Sequence, residues 1–126
     1  MPTRPRVLLV EDHPGVVKAI ARVLSSECDV VGVISDGRDA ANAAARLEPV
    51  VIVVDLNLPH VTGLDVCRQI TQSNPRAKVI VMTAMTDDTI HDDAMAAGAS
   101  GFVRKHAAAD ELVVTIRKIW TERSQG

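Results

Sequence analysis

Aromatic side chains are almost missing from this chain, which has one phenylalanine, one tryptophan and no tyrosine in 126 residues. Without stacking platforms a groove has little with which to hold single-stranded nucleic acid. An excess of one charge is missing as well. Fourteen Lys and Arg face 16 Asp and Glu, a formal net charge of −2, so no basic field argues for a polyanion or an anionic membrane. Long apolar runs are also lacking. The stretch MPTRPRVLLVEDHP offers only Val7 to Val10 before two acids, where a signal peptide needs about 7–15 apolar residues and a spanning helix about 20. The expectation is a cytoplasmic protein with no membrane partner. Cys28 and Cys67 stand far apart without a CxxC spacing, which reads as two reduced, structural thiols.

What is present is a regular alternation. Val7–Val10 is an apolar run of the kind a strand shows when both faces are covered. Pro14 suits the first turn of a helix whose stripe is Val17, Ile20, Ala21 and Leu24. Val30–Ile34 reads as a second strand, closed by Ser35-Asp36-Gly37, and Ala40, Ala43, Ala44 and Leu47 as a second helix, ended by Pro49. Val50–Val54 is the most apolar run and terminates in Asp55. A loop with Pro59 and Gly63 leads to a helix over about 64–72, then Val79–Met82 to a fourth strand. Ile90, Ala94 and Ala97 line a helix ending at Gly98. Gly101–Arg104 is a short fifth strand, and Leu112, Val113, Ile116, Ile119 and Trp120 mark the last helix. Five βα units predict one α/β domain, a parallel sheet with helices on both faces. Right-handed crossovers bring all strand carboxyl ends to one edge, where such sheets bind ligands.

At that edge the apolar runs lead into charge. Glu11 and Asp12 follow strand one, Asp55 ends strand three, Thr83 ends strand four and Lys105 ends strand five. Taken alone, Glu11 and Asp12 would do no more than charge the entrance of the first helix favourably. Gathered with Asp55 they form a harder problem. Carboxylates about 5 Å apart at an effective dielectric near 20 repel by roughly 3 kcal/mol per pair, so three in one cleft need a proton or a cation. A hard, oxygen-only donor set of this kind suits Mg²⁺, and Mn²⁺ is an acceptable substitute. His13, His60 and His106 follow strands one, three and five and border the same edge. Imidazoles beside carboxylates recruit transition metals such as Zn²⁺, but their spacing resembles no closed zinc site, and solvated loop histidines explain them.

The run Val7-Leu-Leu-Val-Glu11-Asp12-His13-Pro14, the segment Asp55-Leu-Asn57-Leu-Pro59 with Gly63, Thr83-Ala84, and Ala97-Gly-Ala-Ser-Gly-Phe102-Val-Arg-Lys105 resemble response-regulator receiver domains of two-component signalling. The similarity covers nearly the whole chain. Val31-Gly32, Asp36-Gly37 and the segment from Ala97 to Gly101 look closest to receivers of the helix-turn-helix (NarL/FixJ-like) subfamily. That resemblance implies a flavodoxin-like (βα)5 sheet of order 2-1-3-4-5, and a single receiver domain over residues 1–126 whose C-terminal output domain is absent or removed. It implies a phosphorylation-dependent switch rather than an enzyme acting on an outside substrate. Asp55 would accept a phosphoryl group from a sensor histidine kinase or phosphotransfer protein. Asp12, Asp55 and the backbone carbonyl of Asn57 would ligate Mg²⁺, with Glu11 acting through a water. Thr83 and Lys105 would bind the phosphoryl oxygens, and Phe102 would turn inward as Thr83 moves, changing the face formed by the last two βα units. Asn57 and Met85 occupy positions that tune phosphoryl lifetime. With an amide and a thioether there, no unusually fast self-dephosphorylation is expected. DNA and transcription regulation would enter only through an output domain, and phosphorylation-linked homodimerisation is a further expectation.

His106 departs from the family, which often has proline there after a cis bond. A non-proline cis bond costs about 2.5–4 kcal/mol, so the sequence leaves Lys105–His106 open. Two rival functions follow from the same residues. A degenerate receiver would act as a phosphorylation-independent interaction module, which the intact Glu11, Asp12, Asp55, Thr83, Lys105 set argues against. A haloacid-dehalogenase-type phosphatase would also use an aspartyl nucleophile with Mg²⁺, but needs a second aspartate where Asn57 stands.

Overall fold

The computed structural model describes residues 4–84 and 88–125, with side chains to residue 122. Five strands form one parallel sheet in the order β2-β1-β3-β4-β5. They are β1 (Arg6–Val10), β2 (Asp29–Ile34), β3 (Val51–Asp55), β4 (Lys78–Thr83) and β5 (Gly101–Arg104). The central strands are the ones whose sequence is continuously apolar. Val7 to Val10 and Val51 to Asp55 are buried throughout, as strands with helices on both faces must be. β2 lies at an edge and is correspondingly less covered. The strand order is the one the resemblance implied. The boundaries differ by a residue: β3 starts at Val51 rather than Val50, and β4 runs from Lys78 through Thr83.

Five helices cover the two faces: α1 (Pro14–Leu24), α2 (Ala40–Leu47), α3 (Gly63–Ser73), α4 (Asp88–Ala96) and α5 (Ala108–Gln125). One core cluster joins Leu8, Ile52, Val54, Val79 and Val81 to Ala43, Val66, Ile70 and Ala94 of α2, α3 and α4. The other joins Leu9, Val53, Ile80, Met82 and Val103 to Ile20, Leu24, Leu112 and Ile116 of α1 and α5. Side chains alternate between the two clusters along each strand, so both faces of the sheet are sealed. Each fully buried Leu or Ile contributes roughly 1.5–3 kcal/mol relative to exposure.

The helix ends explain how the loops are aimed. At α1, Pro14 occupies the first turn and the His13 ring Nδ1 accepts the Val16 N–H at 3.3 Å, an N-cap made by imidazole rather than by the usual short polar residues. At α3, Thr62 and Asp65 form a capping box. Gly63 is required there, because a Cβ would collide with the Asp55 carbonyl oxygen and Leu56 Cα. The start of α3 is thereby pressed against the end of β3. α4 is closed by Gly98 at φ 101°, a left-handed position that suits glycine.

Candidate functional site

Crossovers from β1 to the edge strand β2 and from β3 outward to β4 and β5 run in opposite directions. The gap between β1 and β3 is therefore open at the carboxyl edge of the sheet. Two acids descend into it. Glu11, directly after β1, is 1% exposed, and Asp55, the last residue of β3, is 2% exposed. Asp12 is exposed at the rim. One carboxylate oxygen from each of the three lies within 4.8 Å of the others, and among the described residues this is the group of His, Cys, Asp and Glu side chains close enough to hold a metal ion. It contains no histidine. His13, His60 and His106 are exposed and do not close a zinc site around the cleft.

Lys105 reaches the cluster from the far side. Its residue follows β5 and opens a short 3-10 turn, Lys105–Ala107. The ammonium Nζ lies 3.2 Å from Asp55 Oδ1 and 3.4 Å from Glu11 Oε2. No peptide bond among the described residues is cis, so Lys105–His106 is trans and the lysine reaches the acids without the bond that proline provides elsewhere.

The electrostatics are unbalanced. Burial, and then the Asp55 charge, raise the Glu11 pKa above its ordinary 4.5, while the His13 N–H and Lys105 act in the opposite sense. The His13 amide donates to Glu11 Oε1 at 3.2 Å. Glu11 Oε2 and Asp55 Oδ1 are buried with no hydrogen bond satisfying them; the Lys105 ammonium sits at ion-pair distance from both. Two buried carboxylate oxygens that share one ammonium and lack hydrogen bonds, with a third carboxylate beside them, make a donor set that fits a hard divalent cation such as Mg²⁺.

The remaining sequence candidates fall around this cluster. Asn57 is exposed in the loop two residues beyond Asp55, a loop fixed by Leu56 N–H to Met82 O at 2.8 Å and Gly63 N–H to Leu56 O at 2.8 Å. Thr83 is fully buried at the end of β4, one position past Met82, which pairs with Asp55. Phe102 is half-buried and pairs with Val81. Met85 lies outside the described residues. Sequence reasoning placed His13 among the loop histidines and missed its capping role, in which ring and amide tie α1 to Glu11. The signal was present in Pro14 at the first helical position, which makes the preceding residue the cap.

An open parallel sheet of order 2-1-3-4-5, with its charged cluster at the switch point, is the flavodoxin-like architecture. The chain belongs to the response regulator receiver domain family, whose family model matches residues 7–117. It is 35% identical over 117 residues to the response regulator GacA of Pseudomonas aeruginosa, covering 91% of this chain and 55% of that protein. It is 35% identical to the response regulator UvrY of Escherichia coli K12, covering 91% and 54%. The chain thus spans about half the length of the curated relatives it matches. Among solved structures it is similar to a LuxR family two-component response regulator from Aurantimonas sp. SI85-9A1. That match has 30% identity and a TM-score of 0.90, and covers 94% of this chain and 86% of the other. The response regulator domain of Thermotoga maritima CheB matches at 26% identity and TM-score 0.84, covering 92% and 96%. GacA, UvrY and the LuxR family structure agree with the resemblance to receivers of the helix-turn-helix subfamily.

Proposed function

We propose that the domain is a phosphorylation switch in which Asp55 accepts a phosphoryl group and the cluster around it holds Mg²⁺. The observation that carries the reading is the meeting of Glu11, Asp12 and Asp55 with Lys105 at one strand edge. A sensor histidine kinase or phosphotransfer protein is the donor that suits a receiver domain. Asp12, Asp55 and the Asn57 carbonyl would hold the metal, with Glu11 joining through a water. When bound, Mg²⁺ supplies charge neutralisation for the phosphoryl oxygens.

The chain's own residues do the rest. Asp55 Oδ attacks phosphorus, an O–P bond forms, and the P–N bond of the donor phosphohistidine breaks. The electron pair leaves on the imidazole nitrogen, which then takes a proton. A carboxylate is a competent nucleophile for this step. Lys105 already lies 3.2 Å from Asp55 and pairs with the incoming oxygens. Thr83 offers a hydroxyl from the neighbouring strand, and the added charge of about −1.5 to −2 draws it. The phosphate thereby biases a two-state equilibrium read out through the last two βα units. With Asn57 and Met85 supplying no general base, self-dephosphorylation is not unusually fast, and DNA would be engaged only through an output domain.

Incubation with acetyl phosphate and Mg²⁺ tests the reading by intact mass. One phosphoryl group is expected on the parent and none on Asp55→Asn or on the parent in chelator. An unmodified parent would leave an interaction module as the surviving function.

A further inference from the structure

The second helix is short and rich in alanine, reading AANAAARL over Ala40–Leu47. Ala41, Ala44 and Ala45 stand on one side of it at spacings of three and four, and Glu48 continues that side one turn on. Ala77, in the turn before β4, completes the wall. These side chains are too small to close the space against the end of α3, and a pit of about 430 Å³ is left. Its floor is apolar, with Ile52 at 1% and Ile70 at 2% exposure. Small-ligand sites run from roughly 300 to 1,000 Å³, whereas a close-packed contact between helices leaves no such room.

Two opposite charges line the same pit, Glu48 and Arg76. Glu48 caps α2 in left-handed backbone, φ 50° and ψ 54°, a position that glycine or asparagine usually takes. Pro49 follows, and a proline steers the residue before it toward extended backbone. A carboxylate side chain is therefore kept where its Cβ is a steric cost. Arg76 sits in a tight turn, its N–H donating to Asn74 Oδ1 at 3.1 Å and the Ala77 N–H to Asn74 O at 3.0 Å. The Ser73 hydroxyl is engaged as well, donating to Gln69 O at 2.9 Å. Among the described residues neither the Glu48 carboxylate nor the Arg76 guanidinium has an ion-pair or hydrogen-bond partner, and the two do not pair with each other.

We infer that the pit binds a small zwitterion with an apolar body, the class to which apolar α-amino acids belong. A carboxylate alone would bring a second anion beside Glu48, and an ammonium alone a second cation beside Arg76. A zwitterion answers both charges: its carboxylate meets the guanidinium, whose planar fork suits two oxygens, and its ammonium meets Glu48. The apolar body then covers Ile52 and Ile70 and takes their surface from water. Both charges are exposed, so each ion pair is worth little. The apolar contact carries most of the affinity, and the dissociation constant is on the order of 1 mM. Ile52 stands three positions before Asp55 in β3, about 10 Å along the strand. The pit thus opens at the amino edge of the sheet, away from the acidic cluster, and needs neither phosphate nor metal.

Amide NMR of the full chain, titrated with L-leucine, L-isoleucine, L-methionine and L-phenylalanine, reads the site directly. At least one of the four is expected to give saturable shifts at Ala45, Glu48 and Arg76, with half-saturation on the order of 1 mM. The same body without its ammonium or without its carboxylate (isocaproate and isoamylamine in the case of leucine) binds about three- to tenfold more weakly. Arg76→Gln and Glu48→Gln each lower affinity by a similar factor, and Ala44→Leu, which fills the pit, removes binding. Glu48→Gly separates the ligand role from the backbone: relief of the left-handed position raises the urea midpoint while binding weakens. No saturable shift with any of the four amino acids overturns the inference. So do shifts that Arg76→Gln and Glu48→Gln both leave unchanged, or an acid lacking the ammonium that binds as well as the amino acid. Asp55→Asn is expected to retain binding in full, so failure of the phosphoryl chemistry and failure of this site are read separately.

Discussion

Burial and company both work against the negative charge of Glu11. Its carboxyl is 1% exposed, and desolvation followed by the Asp55 charge lifts its pKa above 4.5. The folded domain therefore holds a proton on Glu11 up to a higher pH than the unfolded chain does. This contribution to stability is complete below about pH 4.5, the unfolded value, and is lost as pH rises through the raised folded one. Urea unfolding in chelator, followed from pH 4.5 upward, should show a decline that Glu11→Gln flattens. Added Mg²⁺ should restore stability at the alkaline end, because a cation suits the ionised form. A parent and a Glu11→Gln variant with parallel pH profiles would remove this cause. Asp12, next in sequence, is exposed instead. Two adjacent acids look alike in a sequence, and which one turns inward depends on the angle at which α1 leaves β1. The His13 ring holds the first turn of α1 and its amide holds Glu11, contacts that a reading of apolar periodicity does not register.

At the scale of elements, α3 is the part that fixes the end of β3. Its capping box and the absent side chain of Gly63 let its first turn sit directly on the Asp55 and Leu56 backbone. Gly63→Ala forces that backbone away, and overpacking of this kind costs about 1–3 kcal/mol. The expected outcome is a fall in urea midpoint together with slower uptake of phosphoryl from acetyl phosphate. Loss of stability with an unchanged rate would show that the β3–α3 corner does not position Asp55. The elements themselves were legible because each strand was an apolar run closed by turn residues, and each helix showed spacings of three and four. Boundaries were less so. β4 read as Val79–Met82, yet it runs from Lys78 through Thr83, since a lysine and a threonine flanking an apolar run do not mark where ladder bonding stops. The pit lined by Glu48 and Arg76 joins two helix ends with no shared periodicity, so only the folded chain brings it into view.

For the whole molecule, the parallel order of the five strands turns residues separated by dozens of positions into neighbours. Asp55 and Lys105 were legible as partners because each breaks an apolar strand at its carboxyl end, and a doubly wound sheet collects those ends. The depth of the pair, and the two buried oxygens left without hydrogen bonds, were not legible, because burial depends on how the loops close over the edge. The central claim is that this edge is a phosphoryl-accepting site centred on one carboxylate. Its most direct measurement is chemical localisation: treat the protein with acetyl phosphate and Mg²⁺, reduce the acyl phosphate with borohydride, and map the product by peptide mass spectrometry. The expected result is homoserine at position 55 alone, dependent on Mg²⁺ and greatly reduced in Lys105→Ala. Reduction at another residue, or at none while the protein stays folded and binds Mg²⁺, would contradict it.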